Sequence, residues 1–210
     1  MAYSAFQEYY SDNADRMDTH WRDFSQVQYD WILNRLKILF PLDKAFSVMD
    51  LGCGTGELLS QIAKIFPEAK LSGVDGTRVM VQKSVTKLQS RAVIIQSDLE
   101  DFELSQRYDV IISSSVIHHL KSPFSHLEKI GHGLSHDGHA FISDIAINTY
   151  RLYFAQIWWS LTQKSYKHSW DERAFRKLVK SSGLSVINGA ILKPDDFWRL
   201  QIYHLQDSYP

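Results

Sequence analysis

The stretch from Phe46 to Glu57, F-S-V-M-D-L-G-C-G-T-G-E, constrains this chain more than any other. Phe46, Val48, Met49 and Leu51, with Asp50 among them, read as a short buried strand. Gly52, Gly54 and Gly56 then alternate with Cys53 and Thr55, and an amphipathic helix follows at once. Glycines this close let the backbone turn sharply and keep Cβ atoms from standing between it and a ligand. A strand running through a glycine-rich turn into a helix N-terminus is the nucleotide-cofactor half of an open α/β sheet. The spacing also discriminates between cofactors. It gives G-x-G-x-G, whereas the dinucleotide fingerprint needs a small residue at position 57, where Glu57 stands. An acid in that first turn repels a pyrophosphate, whose favourable place is the positive helix end. A cofactor with no phosphate and with an ammonium group tolerates it.

V-M-D-L-G-C-G-T-G (48–56) resembles the first motif of the class I S-adenosylmethionine-dependent methyltransferases. The resemblance implies that Asp50 and the loop Gly52, Cys53, Gly54, Thr55 and Gly56 hold the methionine end of S-adenosylmethionine.

The chain is 210 residues long, which is most simply one domain, residues 1–210, able to bury a sizeable core. A formal net charge of −1 provides no global field to recruit nucleic acid or an anionic membrane. The single cysteine, Cys53, excludes an intrachain disulfide and fits a reducing compartment. No charged-plus-apolar leader and no apolar run of spanning length is seen, so the expectation is a cytoplasmic protein.

Residues 1–24 are polar and aromatic, with Tyr3, Phe6, Tyr9 and Tyr10; by resemblance, residues 1–45 carry a cap over the cofactor. Tyr29, Ile32, Leu33, Leu36, Leu39 and Phe40 recur at helical spacing until Pro41. After the glycine loop, Leu58, Leu59, Ile62, Ala63 and Phe66 line a second helix. Leu71 to Val74 form a second strand ending in Asp75, with Gly76 letting the chain turn and Thr77 as N-cap of the next helix. Asp75 stands nineteen positions after Gly56, near the offset at which an acid meets a ribose. Ala92 to Ile95 are a third strand leading to Q-S-D-L, where the resemblance implies Asp98 at the adenine amino group and Leu99 against the ring.

Within Y-D-V-I-I-S-S-S-V-I-H-H-L (108–120), Tyr108 to Ile112 read as a buried fourth strand, and Ser113, Ser114 and Ser115 mark its carboxyl end, where such sheets place ligands. His118 and His119 follow, as in many small-molecule methyltransferases, and are the candidate catalytic residues, His118 being favoured. The Pro-Pro-aromatic motif of the DNA enzymes is absent, and so is the strand-end aspartate of the metal-dependent catechol type. Ser122 and Pro123 open a helix, and His139 to Ile145 make a fifth strand. His132 and His136 are read as surface histidines, so no metal site is expected.

Thr149 to Trp170 is an aromatic insertion, placed by resemblance where a substrate lid is built. A satellite core or a dimer face is the other reading. Ser169 and Glu172 read as the capping box of the last helix. Leu184 to Leu192 and Phe197 to Leu205 then read as two strands joined by K-P-D-D.

The resemblance implies an α/β, Rossmann-like seven-stranded sheet of order 3-2-1-4-5-7-6, strand 7 antiparallel, with helices on both faces. It further implies methyl transfer to a small, aromatic or apolar acceptor, with a homodimer possible. Two alternatives stay open: an RNA methyltransferase, using the basic residues Lys164, Lys167, Arg173, Arg176, Lys177 and Lys180, and a non-methylating S-adenosylmethionine-binding fold acting as a partner subunit or repurposed catalyst.

Overall fold

The computed structural model describes residue 19, residues 21–162 and residues 167–208. The tyrosines expected to cap the cofactor, Tyr3, Tyr9 and Tyr10, lie outside the described residues, as do Lys164 and Tyr166.

Helix α1 (Arg22–Leu39) precedes strand β1 (Ser47–Leu51), and α2 (Glu57–Ile65) follows the glycine loop. Next come β2 (Lys70–Asp75), α3 (Arg78–Leu88), β3 (Ala92–Gln96) and β4 (Tyr108–Ser114). A short 3₁₀ turn, Ile117–His119, leads to α4 (Pro123–Gly133), β5 (Leu134–Ile145) and α5 (Tyr150–Thr162). The chain closes with α6 (Glu172–Ser181), β6 (Leu184–Leu192) and β7 (Leu200–Asp207). The seven strands form one sheet in the order β3-β2-β1-β4-β5-β7-β6. All neighbours from β3 to β5 are parallel, and β7 runs antiparallel to both β5 and β6. This is the expected architecture.

Strand alternation sorts the core into two layers. Val48, Val110, Ile112, Phe141 and Ile202 face α1 and α2, where Ile32, Leu36, Leu59 and Ile62 are fully buried. Met49, Ile111, Ile142 and Tyr203 face the other way, onto Leu127 and Ile130 of α4 and Phe175 and Val179 of α6. Each such side chain contributes roughly 1.5–3 kcal/mol by leaving water. The central strand β1 is buried on both faces, whereas the edge strand β3 leaves Val93 and Ile95 exposed.

Two local expectations are corrected. The N-cap of α6 is Asp171, whose Oδ1 accepts the Ala174 N–H at 2.7 Å. Ser169 cannot form the capping box, because its hydroxyl donates to Gln156 Oε1 of α5 and Glu172 pairs with Arg176. Strand β7 starts at Leu200 and not at Phe197: Asp195 Oδ1 takes the N–H groups of Phe197 and Trp198, withdrawing both from the sheet ladder.

Candidate active site

The carboxyl ends of β1, β2, β4 and β5 converge on the glycine loop. Gly52 and Cys53 both donate their N–H to Val74 O, at 2.8 and 3.0 Å, stitching the loop to the end of β2. Gly56 adopts a left-handed conformation (φ 75°) just before α2. Only one of the three loop glycines faces open space. A Cβ at Gly52 would collide with Val116 and one at Gly56 with Leu88, whereas one at Gly54 would meet nothing within 4 Å. Gly54 is therefore where the backbone itself can be approached by a ligand. Cys53 is buried against Gly73; burial foremost, then Asp50 and Asp75, push its thiol up, so it packs and does not react.

Asp75 is buried and holds the loop: Oδ2 accepts the Gly54 N–H at 3.0 Å and Oδ1 the Thr77 N–H at 2.8 Å. Each oxygen keeps a further acceptor site, as a hydroxyl-bearing ligand requires. Thr77 stands at the N-cap of α3, but its side chain makes no capping bond. Gly76, next to Asp75, is half-buried. Asp50 is buried as well, and burial first, then the Asp75 charge, pushes its carboxyl up to about 7. Burial likewise raises Asp75, against the two N–H groups that favour its charge.

This donor set fits S-adenosylmethionine. Two buried carboxylates repel each other and would repel a pyrophosphate, while an ammonium and a sulfonium relieve that repulsion and ribose hydroxyls donate to it. Ser114 at the end of β4 carries a buried Oγ with no hydrogen-bond partner among the described residues. Glu57, in the first turn of α2, pairs with Lys87 at 2.7 Å. Asp98 is exposed: its Oδ1 accepts the Glu100 N–H at 3.0 Å and closes its own turn, beside a half-buried Leu99. Ser97 N–H donates to Asp75 O, tying that turn to the end of β2.

Beyond β4 the chain passes through Ser115 (φ 58°) into the 3₁₀ turn and presents His118. His118 is buried, and Asp144 holds it twice: Nδ1 lies 2.7 Å from Oδ1, and the backbone N–H donates to Oδ2 at 2.8 Å. Asp144 is fully buried and also accepts the Ile145 N–H. A carboxylate oxygen against Nδ1 places the ring proton there and makes Nε2 the basic nitrogen. The His118 carbonyl accepts the N–H groups of Lys167 and His168, so the chain returning from α5 rests on this turn. The half-exposed His119 ring stands 3.8 Å from that of His118, centroid to centroid.

Asp144 escaped the sequence reading although it ends an apolar strand as Asp75 does. The register Ser114↔Ser143 puts it beside the end of β4, and strand-end position was the signal available. Gln28 was missed too: buried in α1, it bonds Ser115 and Ser143 and pins the helix to the ends of β4 and β5.

A family model described as a methyltransferase domain matches residues 24–188. The chain is similar to the malonyl-[acyl-carrier protein] O-methyltransferase of Bacillus anthracis, 29% identical over 137 residues, covering 60% of this chain and 51% of the relative. It spans about half the length of the curated relatives it matches. Among solved structures it resembles a methyltransferase in complex with the Haloferax volcanii Trm112 methyltransferase activator, with TM-score 0.75, 16% identity and 100% of each chain covered. It also resembles the magnesium protoporphyrin IX methyltransferase of Synechocystis PCC 6803 with bound S-adenosylmethionine, with TM-score 0.73, 19% identity and 97% of each chain covered. With the matched segment running from α1 through most of β6, the chain belongs to the class I S-adenosylmethionine-dependent methyltransferases.

Proposed function

We propose that this protein methylates a hydroxyl or amine on a small, partly planar or apolar molecule, with His118 as general base. The observation that carries the reading is the buried His118–Asp144 pair, set in the turn after β4 whose Val116 packs against Gly52 of the glycine loop. Asp50 and the loop from Gly52 to Gly56 would hold the methionine end, Asp75 the ribose, and Asp98, Leu99 and Ser114 the remaining contacts. S-adenosylmethionine, when bound, supplies a methyl group already activated by its positive sulfur. The protein aligns the acceptor, excludes water and takes the acceptor's proton on His118 Nε2, while Asp144 keeps the opposite nitrogen protonated.

An aromatic wall supports the acceptor class. Trp159 of α5 stacks on Trp198 at 5.1 Å, and Trp21, at the N-cap of α1, and Phe24 meet Trp198 edge-on at 5.9 and 5.5 Å. Phe24 lies one turn before Gln28, so this wall rises from the strand ends that carry His118. The similar malonyl-carrier enzymes raise a second reading, a carboxylate acceptor. A carboxylate has no proton to lose, so a buried base is without purpose there. The RNA alternative is weakened at Arg176, which pairs with Glu172 and lies over Tyr203.

The test is incubation with S-adenosylmethionine and a fractionated metabolite extract, following S-adenosylhomocysteine release. Release with a protonated small nucleophile supports the proposal. Release only with carboxylates, only with RNA, or binding without release in any fraction would overturn it.

A further inference from the structure

Helix α5 has two faces of opposite character. At about 100° per residue its inner face centres on Leu152 and Trp159, the first fully buried and the second stacked on Trp198. On the opposite arc, about 140° wide, stand Tyr150, Tyr153, Phe154, Ile157, Trp158 and Leu161, each 42–79% exposed. Together they offer roughly 800 Å² of apolar surface, more than the largest patch of a typical monomer. That area is also one partner's share of a standard stable interface, about 1,600 Å² in total.

The order of these residues identifies the occupant. A twofold axis between residues 155 and 156 sets Tyr150 opposite the partner's Leu161 and Phe154 opposite the partner's Ile157, while Tyr153 lies along one flank and Trp158 along the other, each on the same flank as its own counterpart. Every large apolar side chain of the stripe thus meets another when the helix is laid antiparallel on its own copy. Such self-complementarity is what an isologous interface requires. The stripe carries no charge to oppose itself. The helix's one charged residue, Arg151, lies off the stripe with its guanidinium 5.3 Å from the Phe197 ring. From the palindromic stripe and its area we infer that the protein forms a homodimer through antiparallel pairing of α5 with the same helix of a second copy. The pairing covers the outer arc and holds the inner arc, with Trp159, over the strand ends. The inference is independent of which acceptor is methylated.

Sedimentation velocity on the full chain over a concentration series tests it. The wild type should sediment as a dimer, and Phe154→Glu, which places two like charges near the axis, should weaken dimerisation at least about 30-fold. Retained circular dichroism and cofactor binding would show that the variant still folds. Tyr150→Cys with Leu161→Cys should form an intermolecular disulfide on mild oxidation, while Tyr150→Cys alone should not. A monomer at every concentration would overturn the inference, as would a dimer indifferent to Phe154→Glu or cross-linking by Tyr150→Cys alone. A monomeric wild type that floats with phosphatidylcholine–phosphatidylglycerol vesicles would assign the stripe to a lipid surface and overturn it equally.

Discussion

Asp144 and His118 are joined by two separate contacts, ring nitrogen to Oδ1 at 2.7 Å and backbone N–H to Oδ2 at 2.8 Å. The second fixes the turn and the first fixes the tautomer, so the two can be separated by mutation. Asp144→Asn keeps an acceptor for the N–H but turns an amide NH₂ toward Nδ1, driving the ring proton to Nε2 and removing the base. Single-turnover methyl transfer should fall by at least about tenfold, toward the ~10²–10⁴-fold loss expected of His118→Ala. Cofactor dissociation constants should stay within about twofold. A rate close to wild type with an unaltered pH profile would show that His118 is only structural.

Asp75→Ala should weaken S-adenosylmethionine by roughly 1.5–3 kcal/mol, the worth of hydrogen bonds to a charged acceptor. It should also lower the melting temperature, because the N–H groups of Gly54 and Thr77 lose their acceptor. Asp75→Asn, which can still receive one of them, should recover part of the stability and little of the affinity. Calorimetric titration and thermal melts separate the two.

Burial and Asp75 hold Asp50 protonated up to about 7, whereas a cationic ligand favours its charged form. Binding should release a proton and tighten as pH rises from about 6 to 8. Titrations in two buffers of different ionisation enthalpy read that proton directly. In Asp50→Asn the proton release should vanish and the pH dependence flatten.

Acid should unfold the protein through two histidines. Burial, then Lys129, holds His126 down to about 3; burial, then His139 and Arg35, holds His204 down to about 4. Both are neutral in the native state and protonated in the unfolded chain below about 6.5. Stability is therefore complete above that value and falls as pH drops through 6.5 toward 4 and 3. Asp50 and Asp75, both raised in the native state by burial, oppose this, while His139, lowered there by burial, adds to it. The slope of unfolding free energy against pH near pH 5 should shrink by up to about one proton in His126→Gln.

The adjacent tryptophans of α5 should behave differently. Trp159→Ala removes the ring stacked on Trp198 and should change acceptor KM or selectivity. Trp158→Ala, on the exposed arc, should leave acceptor kinetics unchanged under conditions that keep the protein's association state constant. Equal effects on the acceptor from both would remove the distinction between the two faces.

The architecture was legible because its signals are local. The loop at 52–56, Pro41 and Pro123 each mark an element boundary within a few residues of sequence. What was not legible depends on distance through space. Asp144 acquires meaning only through its register with β4, twenty-six positions after His118. Ser169 has the right spacing to Glu172 for a cap, but Gln156 takes its hydroxyl and Asp171 lies closer to the helix. Tyr108 to Ile112 was read as strand, and β4 in fact runs on through Ser114, because Ser113 and Ser114 pair with Ile142 and Ser143. The division between Trp158 and Trp159 follows from helical phase alone, but only once a neighbour shows which side faces inward.

Gln28 gives the site an uneven mechanics. Its amide donates to Ser115 Oγ and accepts from Ser143 and Ser115, so α1 is bolted across the ends of two adjacent strands. Pulling it away would strand buried polar groups at about 1–3 kcal/mol each. Trp198, in the loop between β6 and β7, meets Trp21 and Phe24 through ring edges.

 Ring contacts can slide where hydrogen bonds must break. Displacing the side formed by α5 and the loop at residues 193–199 would therefore cost less than lifting α1 from the strand ends. At concentrations that keep the protein monomeric, hydrogen exchange should find the amides of α5 opening well before those of α1.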